Sequence, residues 1–471
     1  MNLQFTIALP LSAALLLVAC ATARVEPPAP ATAAAQFKES SPWQRAVADA
    51  PVPDAWWTLF NDPVLNDLQT RLVIGNETLK SSVAAVASAR AVVEASRSAM
   101  GPTLSTGLTA TRSASPSSPT ASGASNPSNS VSLSATAAWE VDLWGRLAQA
   151  STGAQAALQA SADDLAAARL SAQALLAQTY FSLRAAEAQG ALLERSVAGY
   201  QRSLDLTQAR YDGGVAARTD VLQALTQLKS AQAQLADITA QRAQLEHAIA
   251  VLLGVAPSTF GLERSVAGAD ALPVAPAVPQ MLPSTLLERR PDIAAAQRRV
   301  TAAYAQIGVA DAAYFPDLTL SANAGYRGSS LARLVSAPNL LWSLGASLTE
   351  AIFDGGQRKL ASAQARAAAD QATSSYRQSV LTALQEVEDN LVLADQLQQE
   401  AQLQGEALQA AQRNLEITLD QYRAGTVSYL NVVVAQTAAL SSESNLLAVR
   451  NRQLASVNQL LKNIAGRWER A

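Results

Sequence analysis

Residues 211–215 read Tyr-Asp-Gly-Gly-Val and residues 422–426 read Tyr-Arg-Ala-Gly-Thr, and each pentapeptide lies at the end of a very long helical stretch that contains no proline. The stretches are residues 146–210 and 357–423. At 1.5 Å per residue, a helix of ~65 residues spans ~100 Å, which is too long for a compact globular domain. Glycine permits a tight reversal, so we expect helix to resume after each pentapeptide and to run to residues 253 and 464.

The two pentapeptides belong to a duplication with a spacing of roughly 210 residues. Pro102-Thr103-Leu104 matches Pro316-Asp317-Leu318, and Leu143-Trp144-Gly145 matches Phe353-Asp354-Gly355. Glu140 and Glu350 precede the second pair of landmarks. Because the landmarks recur in the same order, the chain is predicted to contain two copies of one structural unit.

Each copy, residues 62–253 and 286–465, shows the same order of elements. A first helix, 62–100 or 286–314, ends at a proline. Two strand-like segments with alternating apolar residues follow, at 103–112 and 131–139 in the first copy and at 317–327 and 340–352 in the second. The long helices come next, and a Pro-rich linker, 254–285, joins the copies. The predicted fold class is mainly α with a small β part.

Strands of this length suit a tilted span of the outer membrane. Four strands cannot close a barrel, because the smallest membrane barrels have about eight, and an open edge cannot lie in lipid. Several chains would therefore share one barrel. Two chains would give eight strands and three would give twelve, and this argument does not choose between them.

The composition excludes several classes of function. Charged residues make up 15% of the chain and the net charge is −3, so we expect no nucleic-acid partner. The single histidine, His247, has no cysteine near it and does not suggest a metal site. No Ser/His/Asp grouping or phosphate-binding loop appears, so we expect no enzyme and no cofactor.

The N-terminus resembles that of a bacterial lipoprotein. An apolar run of signal-peptide length precedes Leu17-Val18-Ala19-Cys20, which resembles a lipobox. The resemblance implies a signal peptide at 1–19, a covalent lipid on Cys20 and a flexible tether at 20–36. Ala21 after the cysteine implies the outer membrane. The alternative is an ordinary signal peptide with a chance cysteine.

Three blocks of sequence resemble the TolC-like outer-membrane factor family, in its NodT-like branch of RND efflux lipoproteins. They are Trp56-Trp57-Thr58-Leu59-Phe60-Asn61-Asp62-Pro63, Glu288-Arg289-Arg290-Pro291-Asp292-Ile293 and Tyr422-Arg423-Ala424-Gly425-Thr426 with Tyr429-Leu430. The resemblance implies a homotrimer with a twelve-stranded barrel in outer-membrane lipid and a periplasmic tube of long helices. It implies equatorial segments at 37–61 and 254–285 and a C-terminal tail at 466–471.

The resemblance also implies the function. The chain would be the passive exit channel for drugs or other small molecules, working with a periplasmic membrane-fusion adaptor and an inner-membrane RND transporter. Two alternatives stay open at this point. One is the outer-membrane part of a type I protein-secretion system, and the other is a lipid-anchored periplasmic scaffold without a pore.

The family docks its adaptor on the two reversal turns, which implies adaptor contacts at Gly214, Val215, Gly425 and Thr426. Its closed state is held by polar links near this tip. By that resemblance Tyr422 would donate to an acceptor side made by Asp220 and Thr219, as a charge-assisted bond.

The resemblance places the constriction at Leu430, Asn431 and Val434. Some relatives carry acidic residues at the positions of Asn431 and Val434, and others carry leucine, aspartate and arginine at the positions of Leu430, Val434 and Thr437. Only the leucine is present here. We therefore expect an apolar seal, which can close a pore by dewetting.

Overall fold

A computed structural model describes residue 38 and residues 55–114, 127–265, 272–276 and 290–464. Within these ranges the chain forms seven α-helices and four β-strands, joined in places by short 3-10 turns. In chain order they are α1 Pro63–Gly75, α2 Glu77–Ser98, β1 Thr103–Ser113, β2 Ser128–Val141, α3 Arg146–Asp212, α4 Arg218–Leu252, α5 Pro291–Ala312, β3 Asp317–Gly328, β4 Leu340–Thr349, α6 Gln357–Arg423 and α7 Tyr429–Ile464. The predicted fold class, mainly α with a small β part, is confirmed.

Most predicted boundaries agree with the structure to within a few residues, and α6 agrees at both ends. The strand predicted for 340–352 stops at Thr349, because residues 350–356 form the turn that leads into α6. The single helix predicted for 62–100 is wrong, since it divides into α1 and α2 at Asn76.

Asn76 breaks the helix by making side-chain hydrogen bonds that a continuous helix would not need. Its backbone is extended, with φ −65° and ψ 119°. Its side-chain amide donates to the carbonyl oxygen of Leu252 at 2.7 Å, and its side-chain oxygen accepts from the amide of Leu79 at 3.0 Å. Asn76 therefore caps the start of α2 while fixing it to the end of α4.

Two glycines allow this junction to close. A Cβ built on Gly75 would lie 2.1 Å from the carbonyl oxygen of Leu253, and one built on Gly254 would lie 2.1 Å from the carbonyl oxygen of Gly75. Gly254 also has a φ of +70°, which L-amino acids with side chains rarely adopt. The two backbones touch here, and only glycine fits on either side.

The chain separates into two compact units. Among the described residues, the first contains 85–162 and 295–376. It holds a four-stranded antiparallel sheet in the order β1-β2-β3-β4, so β1 and β4 are its edges. The sheet joins strands from both halves of the duplication through the β2–β3 pair.

The second unit contains the main hydrophobic core. The 3-10 turn Trp56–Phe60 packs there with α1, α3 and α7, and Phe60 lies 4.7 Å from Phe181 between ring centroids. Of the described helices, α7 alone has the length and hydropathy of a membrane span. However, its Val432, Leu447 and Leu454 are buried within this unit, so we interpret α7 as a core helix.

Asp62 connects the N-terminal block to the core. It precedes Pro63, which favours an extended backbone, and one carboxylate oxygen accepts from the amides of Val64 and Leu65. The other oxygen accepts from the Tyr180 hydroxyl at 2.6 Å. Burial and this bond to Asp62 raise the pKa of Tyr180 far above its usual range.

A buried ion network attaches the start of the Pro-rich linker to α3 and α4. Glu187, almost fully buried, binds Arg184 at 2.7 Å and Arg242 at 3.0 Å. The Glu187 carboxylate also accepts from the amide of Ser265, and Arg242 donates to the carbonyl oxygen of Leu262. Burial lowers the pKa of Arg184, but its hydrogen bonds to Tyr180 and Glu187 outweigh that effect and the pKa is raised. Removing one partner of such a network typically costs ~3–5 kcal/mol.

The Arg-Pro-Asp block has a similar role at the start of the second copy. Arg290 holds Asp292 through two hydrogen bonds of 3.1 and 2.7 Å, and it also binds Glu386 of α6 and Asn463 of α7. Burial alone would raise the pKa of Asp292, but the bonds from Arg290 and its charge lower the pKa overall. One arginine thereby joins the beginning of α5 to two other helices.

Candidate functional site

The two reversal turns have the same backbone hydrogen bonds. Val215 donates to the carbonyl oxygen of Arg210 at 2.9 Å, and Thr426 donates to that of Gln421 at 3.0 Å. Gly214 and Gly425 have φ values of +75° and +76°. This is the six-to-one bond and the left-handed glycine of a Schellman cap, repeated at a spacing of 211 residues.

These turns are exposed in the chain. Val215 is 70% exposed, and Gly214, Gly425 and Thr426 are exposed as well. The structure thus places all four predicted adaptor-contact residues on accessible turns, and their contact with an adaptor stays a prediction.

Tyr422 is buried beside the turns, and its hydroxyl lies 3.3 Å from that of Thr207. Because Thr207 donates its own proton to the carbonyl oxygen of Ser203, the Tyr422 hydroxyl must be the donor in this pair. Arg210 stacks over the Tyr422 ring at 4.8 Å and donates to the Tyr422 carbonyl oxygen at 2.8 Å. The Tyr422 side chain is therefore held by two residues of α3, Thr207 at its hydroxyl and Arg210 over its ring.

The predicted Tyr422–Asp220 bond is not formed among the described residues. The phenol points to Thr207 of α3, whereas Asp220 and Thr219 lie in the first turn of α4. Asp220 is half-buried and Thr219 is exposed. Sequence reasoning also missed Arg210, although a signal existed: the matching position of the second copy is Gln421, so the guanidinium is present at one turn only.

Tyr429 starts α7 and packs edge-on against Tyr422, with 5.4 Å between ring centroids. Its hydroxyl is buried and has no hydrogen-bond partner in the described part of the chain. Burial raises the pKa of Tyr429 to about 12, and the nearby Tyr422, Tyr200 and Asp220 add to the rise. The neutral phenol is thus strongly preferred.

The duplication is not symmetric at this point. Tyr211 is the counterpart of Tyr422, yet it is 39% exposed whereas Tyr422 is 4% exposed. Tyr422 packs against the preceding helix pair of its own chain, and in the single chain Tyr211 has no equivalent pair on its side. The Tyr211 side is therefore a surface where a second copy could supply the missing contacts.

The predicted constriction residues lie on one exposed face of α7. Leu430 is 55% exposed and Val434 is 61% exposed, and Asn431 is exposed beside them. In contrast, Val432 and Ala435 on the opposite face are buried. The structure thus brings Leu430, Asn431 and Val434 together on the surface of one chain. Their role as a seal remains a prediction, because it depends on neighbouring chains.

The sheet has one apolar and one polar face. Residues directly opposite in an antiparallel pair share a face, so the register assigns every strand residue to a side. The apolar side carries Leu104, Leu108, Ala110, Val131, Leu133, Ala135, Ala137, Trp139, Val141, Leu318, Leu320, Ala322, Ala324, Tyr326, Leu340, Trp342, Leu344, Ala346 and Leu348. Its exceptions are Thr106, Gly328 and the Arg112–Asn129 pair, which lies near the end of the β1–β2 pairing. The other side, apart from glycines, Ala138 and Leu341, carries Thr103, Ser105, Thr109, Thr111, Ser130, Ser132, Ser134, Thr136, Asp317, Thr319, Ser321, Asn323, Arg327, Ser343, Ser347 and Thr349.

The apolar face is largely uncovered. Trp342 is 71% exposed, and Leu344 and Leu104 are 75% exposed. Soluble proteins rarely expose a contiguous apolar surface of this kind. The alternation of apolar and polar side chains across four strands is the pattern of a membrane barrel with a wet interior.

Polar groups are paired where the sheet meets the helices. Arg146 binds Glu140 through both carboxylate oxygens, and Trp144 stacks on Phe315 while donating to the carbonyl oxygen of Pro316. Hydrogen bonds from the backbone amides of Arg358 and Gly356, together with the Arg358 guanidinium, lower the pKa of Asp354 to about 2. These contacts fix the direction in which each long helix leaves the sheet.

The remaining predictions concern a metal site and the two ends of the chain. Within the described ranges, no group of three or more His, Cys, Asp or Glu side chains could hold a metal ion. Cys20, the predicted signal peptide, the tether and the C-terminal tail lie outside the described residues.

Comparison with known proteins agrees with this geometry. The sequence model of a family described as "Outer membrane efflux protein" matches residues 70–255 and 282–466. The toluene efflux pump outer membrane protein TtgF of Pseudomonas putida is 30% identical over 416 residues, which cover 88% of this chain and 85% of TtgF. The outer membrane protein OprJ of Pseudomonas aeruginosa is 29% identical, covering 88% of this chain and 86% of OprJ. The solved structure of the outer-membrane channel OprN superposes with a TM-score of 0.87 at 29% identity, over 95% of this chain and 100% of that one.

The two tyrosines at the tip should respond differently to loss of the hydroxyl. Tyr422→Phe removes the bond to Thr207, so we expect a local loss of about 1 kcal/mol and faster amide hydrogen exchange in the last turns of α3 and α6, whose amides are hydrogen-bonded within the helix. Tyr429→Phe removes a buried hydroxyl without a partner, so exchange should be unchanged or slower. Faster exchange in Tyr429→Phe than in Tyr422→Phe would contradict the assignment.

The raised pKa of Tyr429 stabilises the fold below pH ~10, and that stabilisation is lost as the pH rises towards 12. Tyr429→Phe should therefore be less sensitive than the wild type to alkaline unfolding, followed by circular dichroism.

Proposed function

From the premise that this chain belongs to the outer membrane efflux protein family and is an outer-membrane efflux channel, we propose that it acts as a homotrimer whose twelve strands form one closed barrel. The observation that carries the proposal is the two-faced sheet with two open edges. The same trimer would gather the long helices into a periplasmic duct. Solutes would leave passively through its centre.

Barrel closure follows from backbone chemistry. Lipid offers no hydrogen bonds, so the free amides and carbonyls of β1 and β4 need strands beside them. If β4 of one chain pairs with β1 of the next, three chains close a ring of twelve strands without an edge. The apolar face then meets lipid and the Ser/Thr face lines a wet lumen.

The tip would close the duct. Threefold copies of Leu430 and Val434, with Asn431 beside them, would form an apolar seal, which is supported by their exposure on one face of α7. Tyr422 would hold the closed state through Thr207 and Arg210 within its own chain. Asp220 and Thr219 do not bind Tyr422 within the chain, and they would offer acceptors to the neighbouring protomer.

The partners follow from the family and from the exposed turns. Gly214, Val215, Gly425 and Thr426 would contact a periplasmic membrane-fusion adaptor, and an inner-membrane RND transporter would supply drive and cargo. The relatives named above as pump components support efflux rather than protein secretion. The cargo would be drugs or other small molecules, as the toluene pump name of one relative illustrates.

A lipid on Cys20 would anchor each protomer. Two or three acyl chains hold firmly, since each buried CH₂ contributes ~0.8 kcal/mol. The intact mass of the purified protein should show cleavage before residue 20 and added diacylglycerol and acyl groups. Cys20→Ser should lose that mass increase, and an unmodified wild-type N-terminus would refute the anchor.

Two adjacent residues of β4 test the faces of the barrel. Leu344→Arg would place a charge against lipid, which costs about 2–4 kcal/mol near the midplane, whereas Ser343→Arg would place the same charge in the lumen. We expect Leu344→Arg to reduce the heat-modifiable trimer in membrane fractions and Ser343→Arg to leave it intact. Equal loss of trimer in both variants would argue against the assignment of faces.

The gate can be tested by single-channel conductance of the purified lipidated protein in planar bilayers. We expect small, mostly closed currents in the wild type. They should increase in Tyr422→Phe if the phenol holds the closed state, and in Leu430→Ser with Val434→Ser if the apolar pair is the seal. Asp220→Ala reports on the link between protomers. A folded trimer that carries no current in any of these variants would refute the channel.

A further inference from the structure

The exposed face of α7 is uncharged far beyond the constriction. One stripe follows helical spacing for about five turns from the tip. It consists of Leu430, Val434, Thr437, Ser441, Asn445 and Ala448, all of which are exposed. Asn431 and Ala438 are the other exposed residues of this part of α7, and they are uncharged as well.

The one charged residue between Leu430 and Ala448, Glu443, does not lie on the stripe. Glu443 lies on the opposite side of α7, and its carboxylate accepts from Arg195 of α3 at 2.7 Å. The Glu443 side chain is only 19% exposed. Its charge is therefore neutralised within the chain and is not presented on the stripe.

The first copy of the duplication repeats this arrangement on α4. The positions 211 residues earlier are Thr219, Gln223, Thr226, Ser230, Gln234 and Asp237, and all of them are exposed. The two helices are neighbours, because Gln227 of α4 donates to Thr437 of α7 at 3.3 Å. The first charge on the α4 stripe is Asp237, which ends it 18 residues beyond Thr219, or ~27 Å along the helix. Lys229 is exposed beside the stripe, about 100° around the helix from Ser230, and its ammonium group donates to Gln232 at 3.0 Å.

We propose that these two stripes line the duct above the tip and make it a passage that does not select its cargo by charge. This inference rests on the proposed function, since the stripes line a lumen only in the trimer. Six helix faces would then present Leu, Val, Thr, Ser, Asn, Gln and Ala side chains around the pore. Between the tip and Asp237, neutral apolar molecules and ions of either sign would meet no charged side chain on either stripe.

The physical reason is electrostatic focusing. A ring of three carboxylates in a narrow pore concentrates cations and repels anions, by a factor of ten or more where low-dielectric walls confine the field. Hydroxyl and amide groups can hydrogen-bond to a passing solute without favouring one sign of charge. Size and wetting of the Leu430 and Val434 seal would therefore control passage.

The test measures reversal potential across a KCl gradient in planar bilayers, in a Leu430→Ser, Val434→Ser background that opens the seal. We expect a potential near zero, with K⁺ and Cl⁻ permeabilities within about twofold of each other, since their mobilities in water are similar. Replacing Val434 by Asp instead of Ser adds a three-carboxylate ring, and should shift the permeability ratio towards K⁺ by about tenfold.

A matched control separates pore position from added charge. Gln409→Glu adds three carboxylates on an exposed position of α6, outside the two stripes, and should shift the reversal potential much less than Val434→Asp. Strong selectivity for either ion in the opened parent, or no shift with Val434→Asp, would overturn the inference while leaving the channel in place. An absence of current in every opened variant would instead overturn the proposed function.

Discussion

The rest of the structure depends on one constraint: a strand placed in lipid must have every backbone amide and carbonyl paired. The chain supplies four strands in one sheet and leaves β1 and β4 without outer neighbours. The faces of that sheet suit lipid on one side and water on the other, so the sheet cannot be satisfied in solution or alone in the membrane. Assembly from several identical chains resolves both problems at once, because it pairs the edges and sorts the faces.

In the proposed trimer, the duplication would let one chain provide one third of a continuous ring, and its asymmetries show where the two copies differ. The backbone of both reversal turns is the same, down to the bonds of Val215 and Thr426. The side chains differ: Arg210 has no counterpart at Gln421, and Leu430 replaces the hydroxyl of Thr219. One copy therefore supplies the stacked guanidinium and the other supplies the apolar residues of the predicted constriction.

Much of the fold could be predicted from sequence, because its main signals are local. The absence of proline, the glycine turns and the alternation of strand residues define α3, α6 and the four strands without reference to distant residues. The break at Asn76 could not be predicted, since its cause is a hydrogen bond to Leu252, which lies 176 residues away. The bond between Tyr422 and Thr207 could not be predicted for a similar reason: Thr207 and Asp220 are both near in sequence to the first turn, and only packing decides which of them the phenol meets within the chain. The constriction residues are placed on a common face by helical spacing, but their function depends on other chains.

The uncovered apolar face of the sheet also has a consequence for biogenesis. A newly exported chain in the periplasm would carry Trp342 and Leu344 on a water-exposed surface, beside two strand edges ready to pair with any extended segment. Such a surface favours aggregation, and in the proposed trimer its edges would be paired only when three copies meet in register. The lifetime of the free protomer must therefore be kept short, by a carrier that shields the sheet or by insertion coupled to oligomerisation. The apolar face that suits the mature protein to its membrane therefore makes aggregation most favourable in the interval between export and insertion.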